Sequence, residues 1–176
     1  MSDDLEQALA ETRAELERLR LTLDVVGTVD LEVGILNENG IVDAVERCRR
    51  WQDRRGDVFG VLAVVLPSAG RDAGTAADVA ATIAAGLREV DDVGRLAPDC
   101  FVGVLSDLVA GSLDVVADRI GGVVGRLGPA AAGCTIGGVE VRRADLHART
   151  ILERAVELGR SAPPGEPGLE TLGPED

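Results

Sequence analysis

Apolar residues along this chain follow two different periods. Between residues 4 and 26, Leu5, Leu9, Thr12, Leu16, Leu19, Leu23 and Val26 recur at alternating three- and four-residue steps. That spacing makes an a/d seam about three heptads long and predicts a coiled-coil helix. Glu15 and Arg20 fall at g and e, where a parallel partner chain would pair them. A single amphipathic helix packed on its own domain would carry the same leucines, so that reading stays open.

After a break at residues 27–40, Val42, Val45, Cys48 and Trp51 return to helical spacing and predict a helix from Ile41 to about Arg54. Cys48 and Trp51 on that stripe read as core. Val58 to Leu66 is an uninterrupted apolar run ending at Pro67, the pattern of a buried strand. An alanine-rich helix is predicted over Ala76–Val90. Two short strands follow, one with Val93 and Leu96, the other with Phe101, Val102, Val104 and Leu105. Between them Ala97-Pro98-Asp99-Cys100 reads as a hairpin tip, with Pro98 and Asp99 at the second and third positions of a type I turn. Ser112 or Asp114 is placed to cap a helix running through Val115, Val116, Ile120 and Val124 to about Leu127, where Gly128-Pro129 ends it. Ala131–Val141 reads as a strand with a bulge or sharp bend at Gly137-Gly138, and Asp145–Gly159 as a last helix. The segment 161–176 holds four of the seven prolines with several glycines and acids, and its composition predicts a disordered tail.

The central order is therefore β-α-β-β-α-β. This predicts an α+β protein with a ferredoxin-like, palm-type core, flanking helices, and a coiled-coil helix in front of it. The organisation expected is a coiled-coil helix over 1–26, a domain over 27–160 and a tail over 161–176. Composition narrows the functions open to such a chain. Hydrophobic residues make up 45% of the 176, enough for a real core, but aromatics only 2%, so the core must be aliphatic. A net charge of −13 argues against nucleic acid or an anionic membrane surface as a partner. All 18 basic residues are arginines. No apolar run approaches 18 residues, so neither a membrane span nor a signal peptide is expected, and the cytoplasm is the expected location. Cys48, Cys100 and Cys134 have no metal-binding spacing and read as reduced thiols, and no metal or cofactor is expected.

One stretch carries a family resemblance. Residues 88–106 read REVDDVGRLAPDCFVGVLS, and Arg88, Asp91, Arg95 and Phe101 fall on the pattern R-x-x-D-x-x-x-R-h-G-G-D/E-E-F. The stretch resembles the central hairpin of the GGDEF family, the diguanylate cyclases that make cyclic di-GMP. Two further stretches agree. Asp30, Gly34, Ile35 and Asn37 resemble the lead-in motif D-x-L-T-G-L-x-N-R, although Glu32, Val33 and Glu38 depart from it. Cys134-Thr135-Ile136-Gly137 resembles a T-x-S-I-G strand. The resemblance spans roughly residues 30–160.

The chemical positions of the signature are altered. Ala97, Pro98, Asp99, Cys100 and Phe101 stand where the family has G-G-D/E-E-F. A cyclase of this kind holds two divalent ions on carboxylates. One of those carboxylates lies at the end of the first strand, where this chain has Val65-Leu66-Pro67-Ser68-Ala69. Asp99 is the one metal-type carboxylate left, and a turn aspartate is its plainer reading. Cys100 replaces a glutamate, and the only histidine, His147, is distant in sequence. Ala97 adds a methyl, and Pro98 adds a ring and removes an N–H, where glycines would let a nucleotide approach. Gly70-Arg71-Asp72-Ala73-Gly74 offers no clear counterpart of the guanine-reading Asn and Asp. The resemblance thus implies a degenerate, catalytically inactive GGDEF-like domain.

One family site keeps its residues. Arg88-Glu89-Val90-Asp91 has the R-x-x-D composition and offset of the site at which cyclases bind their product. An arginine fork can bond guanine O6 and N7, and a carboxylate can accept from N1 and N2. A solvated helix end, where the dipole favours arginine, is the alternative reading. The functions carried forward are three. The first is an inactive GGDEF-like signalling module, a homodimer through its N-terminal helix, that binds cyclic di-GMP at Arg88 and Asp91 and contacts a signalling protein. The second is a purely structural interaction domain without ligand. The third is a residual cyclase using Asp99.

Overall fold

The structure is a computed structural model that describes residues 7, 9, 11–19, 22, 27–67, 72–143 and 145–173. In the N-terminal segment, residues 11–19 are helical (α1), as are 7, 9 and 22. Leu9, Leu16 and Leu19 of the predicted seam are exposed. Leu5, Arg20, Leu23 and Val26 lie outside the described residues.

The remaining elements are α2 (Glu38–Arg55), β1 (Phe59–Val65), α3 (Ala73–Gly86), β2 (Asp92–Ala97), β3 (Cys100–Leu105), α4 (Leu113–Val124), β4 (Thr135–Val141), α5 (Ala148–Ser161) and β5 (Gly168–Leu172). They form one mixed sheet in the order β2-β3-β1-β4-β5. β1 pairs antiparallel with both β3 and β4, and β5 joins β4 in parallel. The predicted βαββαβ order and α+β class hold.

Strand alternation divides the core in two. Leu62 and Val64 of β1 with Phe101 and Leu105 of β3 face α3 and α4. Phe59, Val61 and Ala63 of β1 with Cys100, Val102 and Val104 of β3 face α2 and α5. The apolar run at β1 is unbroken because both its faces are covered. α2 is tied to the far side of the sheet by buried Gln52, whose Nε2 donates to Val141 O at 2.7 Å.

Besides shifts of three or four residues at the start of α3, the end of α4 and the starts of β4 and α5, four expectations need correction. Helix α2 begins three residues earlier than Ile41, because Asn37 caps it by accepting from the Gly40 N–H at 3.1 Å. Helix α3 ends at Gly86 rather than Val90, with Leu87 already extended, so Arg88 is not on the helix. Gly137-Gly138 forms no bulge: the β1–β4 register runs regularly from Phe59↔Val141 to Val65↔Thr135. Those glycines serve packing instead. A Cβ on Gly137 would lie 2.0 Å from Gly159 N and 2.1 Å from Ala155 O, both backbone atoms of α5.

The fourth correction concerns the tail. Residues 168–172 are a strand in register with β4, Gly137↔Gly168 to Val141↔Leu172. Its Arg154–Glu170 ion pair at 2.6 Å fastens it to α5. Proline and glycine dominate the connection 162–167 and hide a five-residue strand whose leucines cover the end of the sheet. Residues 174–176 lie outside the described residues.

Gly137→Ala is expected to push α5 away from β4 and lower stability by about 1–3 kcal/mol, the usual range for overpacking. Urea unfolding followed by circular dichroism checks this. An unchanged midpoint would mean that the helix and strand are not in backbone contact.

Candidate functional site

The β2–β3 hairpin is pinned by an arginine at each end. At the tip, Pro98 and Asp99 form the turn between Ala97 and Cys100, as the sequence predicts. Arg95 lies beneath it with its side chain only 7% exposed. Its Nε donates to Ala97 O at 3.3 Å and Nη2 to Pro98 O at 3.2 Å. Nη1 reaches Glu32 Oε2 at 2.6 Å and Asp30 Oδ2 at 3.6 Å, and the guanidinium stands 5.7 Å from the Phe101 ring centre. One cation therefore binds the tip carbonyls to the lead-in loop. The same loop also covers the β2 edge: Leu36 N donates to Val93 O, and Arg95 N to Leu36 O. Glu32, a departure from the family pattern, is the shortest of these contacts.

The tip itself does not fit a pair of divalent ions. Asp99 is its one carboxylate, and β1 ends at Val65 and is followed by Leu66 and Pro67, none of which can ligate metal through its side chain. Among the described residues, no group of three His, Cys, Asp or Glu side chains is placed to hold a metal ion. The Cys100 thiol points away from the tip into the core facing α2 and α5. Burial pushes its pKa up to about 12, with Asp99 adding to the rise and Arg160 opposing it. It is protonated at neutral pH and is no nucleophile. Phe101 is fully buried.

At the open end of the hairpin, Arg88 and Asp91 come together as expected, but in a loop. Asp91, with its side chain only 3% exposed, accepts from Ser106 N at 3.1 Å, Arg88 N at 2.9 Å, Arg88 Nη2 at 3.3 Å and Arg88 Nε at 3.4 Å. The Arg88 guanidinium also donates to the Ser106 carbonyl. These bonds replace the last helical turn, which is why α3 stops early. Both oxygens of Asp91 are engaged in these bonds, which fix the position of Arg88. Arg88 keeps 52% of its side chain exposed. It borders a pocket of about 260 Å³ with Arg119 and an apolar wall of Leu108, Val109, Val115 and Val116. Ser106 and Arg119 were not singled out in the sequence. A backbone donor leaves no trace in residue type, and Arg119 is brought in only by the placement of α4.

Similarity to known proteins is visible only in the fold. No family model matches the chain, and no curated protein matches it. Among solved structures, GGDEF domains of diguanylate cyclases match, and the chain has the GGDEF-domain fold. One is the diguanylate cyclase SiaD in complex with its activator SiaC from Pseudomonas aeruginosa, with TM-score 0.68, 16% identity, and 96% of this chain and 71% of that chain covered. Another is the coiled coil and GGDEF domain of DgcB from Caulobacter crescentus in complex with c-di-GMP, with TM-score 0.67 and 19% identity over 94% and 99% of the chains. A third is the FimX GGDEF domain from P. aeruginosa, with TM-score 0.68 and 12% identity over 82% and 99%. Among the described residues no helix is long and apolar enough to cross a membrane.

Arg95→Ala should cost about 3 kcal/mol, the lower end for breaking a buried ion pair, since Glu32 can turn to water. Glu32→Gln should cost less than about 1 kcal/mol, because Asp30 and the two carbonyls still hold the guanidinium. Denaturant midpoints of the two variants test this ordering. Equal losses would mean that Glu32 alone holds Arg95.

Proposed function

We propose that this protein is a catalytically inactive GGDEF-fold signalling module of the cytoplasm, dimeric through its N-terminal helix, that binds cyclic di-GMP at the Arg88 corner and contacts a signalling protein. One observation carries the reading: the two ends of the hairpin have had opposite fates. The tip has lost its glycines and all but one of its carboxylates. The open end keeps a pre-oriented, half-exposed arginine facing a pocket with a second arginine, Arg119. Arg88 would read guanine O6 and N7 with Nη1 and Nη2, Nη2 exchanging the Ser106 carbonyl for the ligand while Asp91 holds Nε. The valine wall would take the purine face, and Arg119 a phosphate.

A ligand-free interaction domain has one observation in its favour. The Arg88–Asp91–Ser106 cluster is complete in itself, with every oxygen of Asp91 occupied. Residual cyclase activity has no such support.

Titration calorimetry separates these readings. Cyclic di-GMP should bind the full chain, and Arg88→Ala should weaken binding tenfold or more, since a bidentate arginine–guanine contact is worth roughly 1–3 kcal/mol. Arg119→Ala should weaken it as well, and Asp99→Ala should leave it unchanged. GTP with Mg²⁺ or Mn²⁺ should yield no cyclic di-GMP. Absence of heat at high micromolar ligand favours the ligand-free domain. Product formation that Asp99→Ala abolishes would restore the cyclase reading.

The dimer has a separate test. In a parallel, in-register coiled coil Leu16 meets Leu16 of the other chain, so Leu16→Cys should form an interchain disulfide on mild oxidation. The native thiols are buried and should not compete. A chain that stays monomeric on non-reducing gels would refute the seam.

A further inference from the structure

Glu140 is a buried carboxylate that neither end of the hairpin uses. It stands on β4 with its side chain only 3% exposed. Strand alternation puts it on the same face as Ile136, toward α4. Oε1 accepts from Arg142 Nε at 2.8 Å, and Oε2 accepts from Gly111 N at 2.8 Å. Burying a carboxylate is costly even when it is paired. The Gly111 N–H belongs to an exposed turn, where water would serve as its acceptor. Satisfying that donor therefore does not account for the charge. Fixing the turn does.

The turn runs from Val109 to Ser112, between β3 and α4. Ser112 closes it by donating to Val109 O from its N–H at 3.0 Å and from Oγ at 2.6 Å. Gly111 takes φ +76°, where glycine is favoured. Val109 is 74% exposed, so packing does not hold it, and its position rests on the backbone bonds to either side. Before it, Leu108 N donates to Val58 O at 2.8 Å. The Leu108 side chain packs over Gly60, the residue opposite Glu140 in the β1–β4 ladder. After it comes the Gly111–Glu140 bond. Gly111 also borders a cavity of about 190 Å³ with Leu113 and Leu169, so a turn released from Glu140 has space to shift toward β5. Val109 and Ser112 border the pocket beside Arg88. We propose that Glu140 is a positioning residue of that pocket, fixing the Val109 wall through the Gly111 N–H so that a flat ligand meets a wall already in place. This rests on the reading of the Arg88 corner as a cyclic di-GMP site. Glu140 itself touches no ligand.

The test compares three full-length variants. Glu140→Gln keeps an oxygen for the Gly111 N–H. Glu140→Leu keeps the volume and removes the acceptor, while Arg142, partly exposed, can turn to water. Gly111→Ala strains the turn from outside, where a Cβ meets nothing within 4 Å. Replacing a buried charge pair by an apolar residue is often neutral for stability, so denaturant midpoints separate positioning from general loosening. In calorimetry with cyclic di-GMP, Glu140→Leu and Gly111→Ala should weaken binding roughly fivefold, the order of one net hydrogen bond. Glu140→Gln should bind within roughly twofold of wild type, since it keeps that bond. In ligand-free NMR spectra, Glu140→Leu should shift the Val109 and Gly111 amides and leave the Ser106 amide, which reports the Arg88 clamp, in place. If Glu140→Leu does not fold, Gly111→Ala carries the comparison with Glu140→Gln. Wild-type affinity in Glu140→Leu and Gly111→Ala overturns the proposal, as does an equal loss in Glu140→Gln and Glu140→Leu. Neither result touches the reading of Arg88. Absence of heat from the wild-type chain defeats that reading, and this proposal with it.

Discussion

Strand β1 lies in the middle of the five-stranded sheet, hydrogen-bonded to β3 on one side and β4 on the other, and both its faces are covered by helices. A strand in that position can carry no polar side chain without an internal partner, and none of the residues in FGVLAVV has one. Polar chemistry is thereby driven to the ends of the strands and to the edge hairpin. That is where the buried charges stand. Arg95 lies under the hairpin tip, Asp91 lies at its open end, and Glu140 near the other edge is held by Gly111 N and Arg142.

The two arginines of the hairpin solve different problems. Arg95 is enclosed, and its partners are two carboxylates, two carbonyls and an aromatic face, so all three of its nitrogens are engaged in structure. Asp91 is enclosed in the same way, but its arginine is not. Arg88 commits Nε and Nη2 to Asp91 and the Ser106 carbonyl, and Nη1 alone of its nitrogens has no bond among the described residues. A guanidinium held on one edge loses little further freedom when it meets a planar ligand. Rigidity at the clamp and availability for binding are therefore compatible. At the tip the Ala97 and Pro98 carbonyls are already committed to Arg95.

Most of the fold was legible because it is written in periodicity. The run at β1, the Pro98-Asp99 turn and the stripe of α4 each announce themselves. What escaped was decided by single contacts. The start of α2 depends on the Asn37 side chain, and the end of α3 on Asp91 pulling Arg88 out of the helix. β5 escaped because its five residues follow a proline- and glycine-rich connection, and its pairing depends on a strand some thirty positions earlier. Of the candidate site, Arg88 and Asp91 were named correctly as neighbours. The part of Ser106 in holding them was not readable, because it acts through its backbone.

Cyclic di-GMP should bind at the open end of the hairpin and not at its tip. An NMR titration of isotope-labelled full chain with cyclic di-GMP reads this directly. The largest shifts should fall on the Arg88 Nε–H, the Ser106 amide and the amides around Val109 and Val115, with Ala97, Asp99 and Cys100 unmoved. Shifts concentrated at the tip, or no shift anywhere at saturating ligand, would contradict the account.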